Sequence, residues 1–307
     1  KGSPDVRWSY KMITFNKTAK WCLDFTDEYM SEHLDGDYHI STVTLPTERT
    51  PGATMVFIDA FEPDMATKAS GIDDIVKSIG DIDILLTRRP ELLTAFPDKA
   101  QKMIYGTTWI KDVKSDKEQS ISFAMTNKLD PAQKADGYKL RHAFLKTVMN
   151  NRPDFSVPFK FFDSTRSPCF ESQVYGSLPF DQREWAMNSG TVSYHYLRDD
   201  KEPVFDSMFS VIIENQRLPN YITEKLIDCI VSKTLPLYYG CPNVNDYFDT
   251  DGMIIIQDQE HLIDVVENLT VEDYEKRLPA MQKNLELAQD LARPLADRTI
   301  EAIKKAN

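Results

Sequence analysis

The clearest chemistry of this sequence lies in a polar string that follows an apolar run near residue 210. The apolar run covers residues 209–213, and after it come Glu214-Asn215 and then Tyr-Ile-Thr-Glu-Lys at 221–225. This order predicts a buried strand, a polar loop and a helix that begins with charged residues. In an open α/β sheet, ligands bind at the carboxyl ends of the strands. The sequence therefore predicts a binding site that contains Asn215, Tyr221, Glu224 and Lys225.

The predicted helix start at 221–225 suits a phosphate group. A helix N-terminus presents N–H groups and the positive end of the helix dipole. Lys225 in the first turn adds a mobile full charge that suits a diphosphate, and Glu224 is an acceptor for a pair of ribose hydroxyls, as carboxylates are in dinucleotide folds. The structural alternative is that Thr223 and Glu224 only cap the helix and favour its dipole.

The elements that position this string alternate between strand and helix along the whole chain. Such alternation is typical of parallel sheets with helices on both faces. The predicted strands cover 10–15, 38–44, 55–59, 82–87, 102–105, 120–125, 159–162, 209–213, 235–239 and 253–256. The predicted helices cover 19–34, 72–79, 91–96, 138–149 and 222–232, with a shorter one near 244–248, while 165–190 is predicted to be a loop with short helices.

A charged stretch over residues 111–119 predicts a linker between two α/β domains. We expect an N-terminal domain over residues 1–113 and a C-terminal domain over 114–307. The second would include a helical tail from Val271 that is broken at Pro279 and Pro294. Two such domains suit the GT-B architecture of glycosyltransferases, but they also suit periplasmic-type binding proteins and other two-domain enzymes.

Composition excludes several classes of partner. The chain of 307 residues has 36 Lys and Arg against 48 Asp and Glu, a net charge of -12, which argues against nucleic acid because phosphate backbones bind basic surfaces. The four cysteines and five histidines are dispersed, and none lies at metal-ligand spacing. No apolar run is long enough for a transmembrane segment. We expect a cytoplasmic protein or, if an anchor precedes this chain, one of the Golgi lumen.

A wider pattern over residues 209–248 resembles the signature of the family-10 glycosyltransferases, the α1,3/4-fucosyltransferases. The pattern reads Phe209-x-x-x-x-Glu214-Asn215, Tyr221-x-Thr-Glu-Lys225-Leu-x-Asp228, Thr234-x-Pro236-x-Tyr-x-Gly240-x-Pro242 and Phe248. The resemblance implies a GT-B fold of two Rossmann-like α/β/α domains that face each other across a cleft. It also implies an inverting transfer of L-fucose from GDP-fucose to a hydroxyl of a glycan acceptor, with no obligatory metal or other cofactor.

The resemblance also assigns roles to residues upstream. In the family, a helix arginine contacts the donor phosphates, and Arg141 is the matching position. In the family, a glutamate that acts as the general base follows a strand of the N-terminal domain. Phe61-Glu62, after the predicted strand at 55–59, resembles that motif. The resemblance therefore implies that Glu62 is the catalytic base. The residues that surround this glutamate in the family are missing here. Asp59, three positions away, is therefore the alternative base.

Two other functions remain open at this point. One is an inverting transferase that uses another donor, such as GDP-mannose or a UDP sugar. The other is a non-catalytic module that binds a nucleotide or a glycan and has lost the base.

Overall fold

The computed structural model describes residues 13–16, 27–42, 44–59, 71–125, 135–151, 155–163, 192–197 and 200–306. Glu62 and the predicted loop at 165–190 lie outside these residues. The chain divides into two compact units. The first consists of Lys1–Met103 with Pro294–Asn307, and the second of Ile104–Arg293.

The first unit contains a parallel sheet whose described strands follow the order of the chain. These strands are β1 Ile13–Asn16, β2 Tyr38–Thr42, β3 Thr54–Asp59, β4 Ile84–Thr87 and β5 Ala100–Lys102. The helices between them are α1 Asp27–His33, α2 Ile72–Ser78 and α3 Pro90–Ala95, and a 3-10 turn covers Ile79–Asp81. Apolar side chains of β3, β4, α2 and α3 form one core, in which Phe57, Ile75 and Leu85 are almost wholly buried. The helices therefore cover a sheet face that would otherwise expose apolar surface.

The second unit contains a larger parallel sheet, with α4 Asp136–Asn151 as its first described helix. Its described strands are β6 Glu118–Met125, β7 Phe159–Asp163, β8 Val192–Tyr196, β9 Ser207–Ile213, β10 Leu235–Tyr239 and β11 Ile254–Ile255. The other helices are α5 Glu224–Val231, α6 Gln259–Asn268, α7 Val271–Glu275 and α8 Leu278–Leu287, and 3-10 turns cover Glu202–Asp206, Val244–Asp246 and Thr250–Gly252.

Both faces of the second sheet are covered, which explains why its central strands are apolar at successive positions. In β9, Val211 points to a core shared with Phe144 of α4, whereas Ile212 points to a core shared with Leu226 of α5. Successive side chains of a strand point to opposite faces, so a strand buried on both sides needs apolar residues throughout.

The strand order of the second sheet places a switch point between β6 and β9. The order is β11-β10-β9-β6-β7-β8. From β6 the chain passes to β7 and β8 on one side, and it then returns to the other side of β6 for β9, β10 and β11. Connections from β6 and β9 thus diverge, and the crevice at their carboxyl ends is where ligands bind in open α/β sheets.

Gly137 allows the start of α4 to lie directly against the loop after β9. Its backbone N–H donates to the carbonyl of Asn215 at 3.1 Å. A Cβ atom built at Gly137 would lie 1.7 Å from the carbonyl oxygen of Glu214, so no larger residue fits without moving the backbone. The two segments that border the switch point are therefore in contact.

The predicted linker and tail differ from the observed packing. Residues 104–117 belong to the second unit, because Ile104 and Ile110 lie in its core and the Glu202 carboxylate accepts the backbone N–H groups of Lys111 and Asp112. The boundary predicted at 113 is thus ten residues beyond the observed division at Met103.

The last helix, α9 Leu295–Ala306, belongs to the first unit, and not to the second domain as predicted. The hydroxyl of Tyr29 in α1 donates to Asp297, and α9 also packs on β4. Buried residues recur on one face of α9, including Ala296, Ile300 and Ile303. This amphipathic face explains the packing, since a helix of this type must bury its apolar side.

The alternation of strands and helices and the parallel sheets are confirmed. The sequence patterns did not predict strand β8. Pro279 does not break a helix as predicted, because it occupies the first turn of α8, where proline is tolerated. Across the described parts of the chain, every helix is too short or too polar to cross a lipid bilayer.

Candidate functional site

A buried carboxylate, Glu214, organises the predicted site. It directly follows β9 and has no exposed surface. Its two oxygens accept the backbone N–H of Thr223 at 2.9 Å and the Thr223 hydroxyl at 2.6 Å. Burial raises the pKa of Glu214, against the lowering effect of the Lys225 charge and the Thr223 hydrogen bonds. The two hydrogen bonds from Thr223 thus join the end of β9 to the start of α5.

Thr223 is also the N-cap of α5. Its hydroxyl accepts from the backbone N–H of Lys225, and the Lys225 ammonium lies 3.1 Å from the same oxygen. The capping role that was the structural alternative at Thr223 is therefore real. It does not exclude ligand binding, because the same bonds fix the direction in which the first turn of α5 points.

Lys225 and Glu224 form a compact charge cluster with Lys201. The Lys225 ammonium lies 3.3 Å from Oε1 of Glu224 and 3.7 Å from Oε2 of Glu214, and the Lys201 ammonium lies 3.4 Å from Oε1 of Glu224. Burial alone would raise the pKa of Glu224, but the charges of Lys225 and Lys201 lower it to about 2. Glu224 is therefore an ionised acceptor at neutral pH.

Arg141 lies in α4 at the other side of the switch point. Its side chain is buried, and two of its nitrogens, Nε and Nη2, donate to the carbonyl of Ile213, the last residue of β9. The guanidinium also lies 5.0 Å from the ring centre of Tyr138. A solvated surface arginine was the alternative for this residue, and the structure excludes it.

Asn215 and Tyr221 flank the loop that joins β9 to α5. Both are buried, with exposed fractions of 5% and 1%. The Tyr221 ring thus lies within the fold. The structure brings Arg141, Asn215, Tyr221, Glu224 and Lys225 to one end of the second sheet, whereas Glu62 lies outside the described residues.

Asp228 lies one turn after Glu224 on α5 and connects this helix to the segment that precedes β6. Its Oδ1 accepts the Thr108 hydroxyl at 2.9 Å and the Trp109 backbone N–H at 2.7 Å. Its Oδ2 is buried and has no hydrogen-bond partner among the residues that the structure describes. Burial is the main reason that the pKa of Asp228 rises to about 6.

Asp59, the alternative base, forms a buried ion pair. Its Oδ2 lies 2.8 Å from Nε of Arg89 and accepts the Thr87 hydroxyl at 2.8 Å, while Oδ1 accepts from Nη2 of Arg89. Burial raises the pKa of Asp59, and the charge of Arg89 opposes that shift. Removal of one partner from such a pair leaves a buried charge uncompensated. The pairing indicates a structural role at the end of β3.

This arrangement of residues can bind an anion beside a polar surface. A helix N-terminus, Lys225 and Arg141 supply positive charge, and Glu224 supplies an acceptor for hydroxyl groups. Within the described ranges, no group of three or more His, Cys, Asp or Glu side chains is arranged to hold a metal ion.

Sequence reasoning did not identify Lys201, Gly137 or the role of Glu214. An acidic residue directly after an apolar strand was the available signal for Glu214. Lys201 gave no signal, because its contact with Glu224 spans 23 positions of the chain.

Thr223→Ala should destabilise the second unit more than an ordinary loss of a helix cap. The change removes the N-cap and one donor to the buried Glu214, so we expect a loss of about 2–3 kcal/mol in the free energy of unfolding. The matched control is Thr270→Ala, which removes the exposed N-cap of α7; there we expect about 1 kcal/mol. Urea unfolding of both variants checks this difference, and equal losses would contradict the role of Glu214.

Asp228→Asn should change the pH dependence of stability. An aspartate releases its proton near pH 3.8 when unfolded, whereas Asp228 holds it up to about pH 6 when folded. The unfolding free energy of the wild type therefore falls as pH rises between these values, and the asparagine variant lacks this loss. From pH 4 to 7 the variant should gain about 2 kcal/mol relative to the wild type. Urea unfolding at each pH tests this, and parallel profiles would contradict it.

Comparison with known proteins finds sequence similarity to one sugar-transferring enzyme and a fold shared with others. No family model matches the chain. It is 27% identical over 137 residues to the α-(1,3)-fucosyltransferase FucT of Helicobacter pylori, an alignment that covers 42% of this chain and 28% of that protein. The chain thus spans less than a third of the length of this relative.

Solved structures show the fold. TarM aligns with a TM-score of 0.52 and 12% identity over 93% of this chain and 57% of its own. The trehalose-6-phosphate synthase OtsA aligns with a TM-score of 0.52 and 10% identity over 91% of this chain and 74% of its own. Both are GT-B glycosyltransferases, so the predicted fold class is confirmed. This chain therefore has a GT-B fold and is similar in sequence to an α1,3-fucosyltransferase, in agreement with a family-10 resemblance.

Proposed function

We propose that this chain is an inverting glycosyltransferase that transfers L-fucose from GDP-fucose to a hydroxyl of a glycan acceptor. The observation that carries the proposal is the position of the motif at 214–225. Its helix start, Lys225 and Arg141 lie at the carboxyl end of β9, beside the switch point of a parallel sheet. The likeness to the Helicobacter fucosyltransferase supports the fucose donor.

In this proposal the positive groups hold the donor diphosphate. Lys225 is an ammonium in the first turn of α5 that pairs with Glu224, and Arg141 is a guanidinium already fixed against the end of β9. Charge that develops on the departing GDP is stabilised best by groups that are oriented beforehand. These cations would supply that stabilisation without an obligatory metal ion.

The carboxylate of Glu224 would accept the ribose hydroxyls, while Asn215 and Tyr221 would shape the donor pocket. Glu224 remains ionised at neutral pH because its pKa is about 2. Since both flanking residues are buried, they would act by fixing the loop between β9 and α5. The donor would thus bind to a preorganised surface, which lowers the entropic cost of ordering the protein on binding.

Glu62 would act as the general base. It would take the proton from the acceptor hydroxyl as that oxygen forms a bond with the anomeric carbon of fucose. The bond between this carbon and the β-phosphate oxygen of GDP breaks from the opposite face, which inverts the anomeric centre. GDP leaves with the electron pair of the broken bond. Asp59 is less suited to this role because Arg89 and Thr87 hold both its oxygens.

Transfer assays with GDP-fucose, GDP-mannose and UDP sugars on a glycan acceptor panel test the function. We expect turnover with GDP-fucose. Lys225→Met should lower kcat/KM about 100-fold, since loss of one stabilising group of this kind costs about 3 kcal/mol. Lys114→Met is the matched control, because Lys114 is an exposed lysine that pairs with Asp206.

The outcome also decides between the alternatives. Turnover with GDP-mannose or a UDP sugar alone would establish a different transferase. Tight nucleotide binding without transfer to any acceptor would establish a binding module. Normal turnover of Lys225→Met with GDP-fucose would show that the diphosphate site is assigned wrongly.

Glu62→Gln should abolish most turnover while GDP binding is retained. We expect kcat to fall about 1,000-fold, the usual scale for a general base, with the GDP dissociation constant within about twofold. The comparison variant is Asp59→Asn, which should lower the melting temperature of the protein because it leaves Arg89 without its buried counter-ion. If Glu62→Gln turns over normally, the base is another carboxylate.

A further inference from the structure

Trp109 and Lys201 form a closed chain of contacts that begins and ends on α5. Asp228 accepts the backbone N–H of Trp109 at 2.7 Å. The Lys201 ammonium lies 3.9 Å from the centre of the Trp109 ring and 3.4 Å from Oε1 of Glu224. Glu224 and Asp228 are four residues apart, so they share one face of the helix. We call the Trp109–Lys201 pair the clamp.

Each contact in this series, from Asp228 through Trp109 and Lys201 to Glu224, restrains the next. The hydrogen bonds to Asp228 fix the backbone at Trp109, although its side chain is 49% exposed. The indole face attracts the ammonium of Lys201, as aromatic rings attract cations within about 6 Å. Lys201 is then held beside Glu224 although 31% of its side chain is exposed.

Two ammonium groups, those of Lys201 and Lys225, lie beside the same oxygen of Glu224. Oε1 of Glu224 is nearly equidistant from Lys225, at 3.3 Å, and from Lys201, at 3.4 Å. Without Lys201, the Coulomb attraction of Glu224 would act on Lys225 as the other ammonium beside it and would hold Lys225 more firmly. A diphosphate and a ribose would then have to break that pair before they could bind.

We propose that Trp109 and Lys201 are positioning residues of the donor site, which share the Glu224 carboxylate so that Lys225 can turn to the diphosphate. This inference rests on the proposed function and deepens it. Neither residue belongs to the motif at 209–248, and both act through Glu224 without touching the reacting atoms. The second ammonium also keeps Glu224 ionised, because it contributes to the low pKa of that carboxylate.

Isothermal titration calorimetry with GDP tests the clamp. Lys201→Met and Trp109→Leu should each weaken GDP binding about fivefold, equivalent to about 1 kcal/mol. Lys201→Arg should stay within about twofold of the wild type, because arginine keeps both the charge and the attraction to the indole face. Lys114→Met, which alters an exposed ion pair on the same unit, should bind GDP as the wild type does.

The pH dependence separates positioning from a general loss of structure. Glu224 binds ribose in its ionised form, so GDP affinity falls where this carboxylate becomes protonated. Loss of Lys201 raises the pKa of Glu224 and should move this acid limb to higher pH in Lys201→Met but not in Lys201→Arg. In transfer assays, KM for the donor should rise while kcat at saturation stays within about twofold.

Two results would overturn the inference, and they are distinguishable. If the wild type binds GDP and both Lys201→Met and Trp109→Leu bind it equally well, the clamp has no role in positioning, even if these variants melt earlier. If the wild type does not bind GDP, the proposed function fails and the inference fails with it.

Discussion

The burial of one carboxylate, Glu214, is the constraint on which the candidate site depends. A buried charge is tolerated only when its oxygens are satisfied, and here both Thr223 donors and the nearby Lys225 ammonium serve this purpose. Space for the carboxylate is equally restricted. A Cβ atom at Gly240 would lie 2.6 Å from Cγ of Glu214, and one at Gly137 would meet the Glu214 carbonyl. Glu214 is therefore packed between the ends of β9 and β10 and the starts of α4 and α5.

This packing around Glu214 determines the electrostatics of the candidate site. Because the hydrogen bonds between Thr223 and Glu214 hold the start of α5, Glu224 and Lys225 project from a well-defined first turn, and Lys201 reaches the same oxygen of Glu224. Arg141 is fixed independently, by its bonds to the last carbonyl of β9. Positive groups from α4, α5 and the segment before β9 thus gather at one sheet end, in a chain whose net charge is -12. Local arrangement, and not overall charge, concentrates positive groups at the candidate site.

The division of the chain follows from packing and not from composition. The charged stretch 111–119 has the composition of a linker, yet Glu202 accepts two of its backbone N–H groups and Asp228 holds the residues just before it. The buried face of α9 likewise returns the chain end to the first unit. Polar composition indicates exposure to water, but it does not show which neighbour a segment binds.

Local patterns along the chain were enough to predict the alternation of strand and helix, the buried central strands and the candidate site residues at 214–225. These features are local, since periodicity and helix-start residues act within a few positions of the chain. Tertiary structure decided what depends on distant partners. It placed the switch point between β6 and β9, paired Asp59 with Arg89, and brought Lys201 and Trp109 to the face of α5 that carries Glu224 and Asp228. Such contacts arise only when the sheet order is set, because strand order and not sequence separation decides which side chains meet.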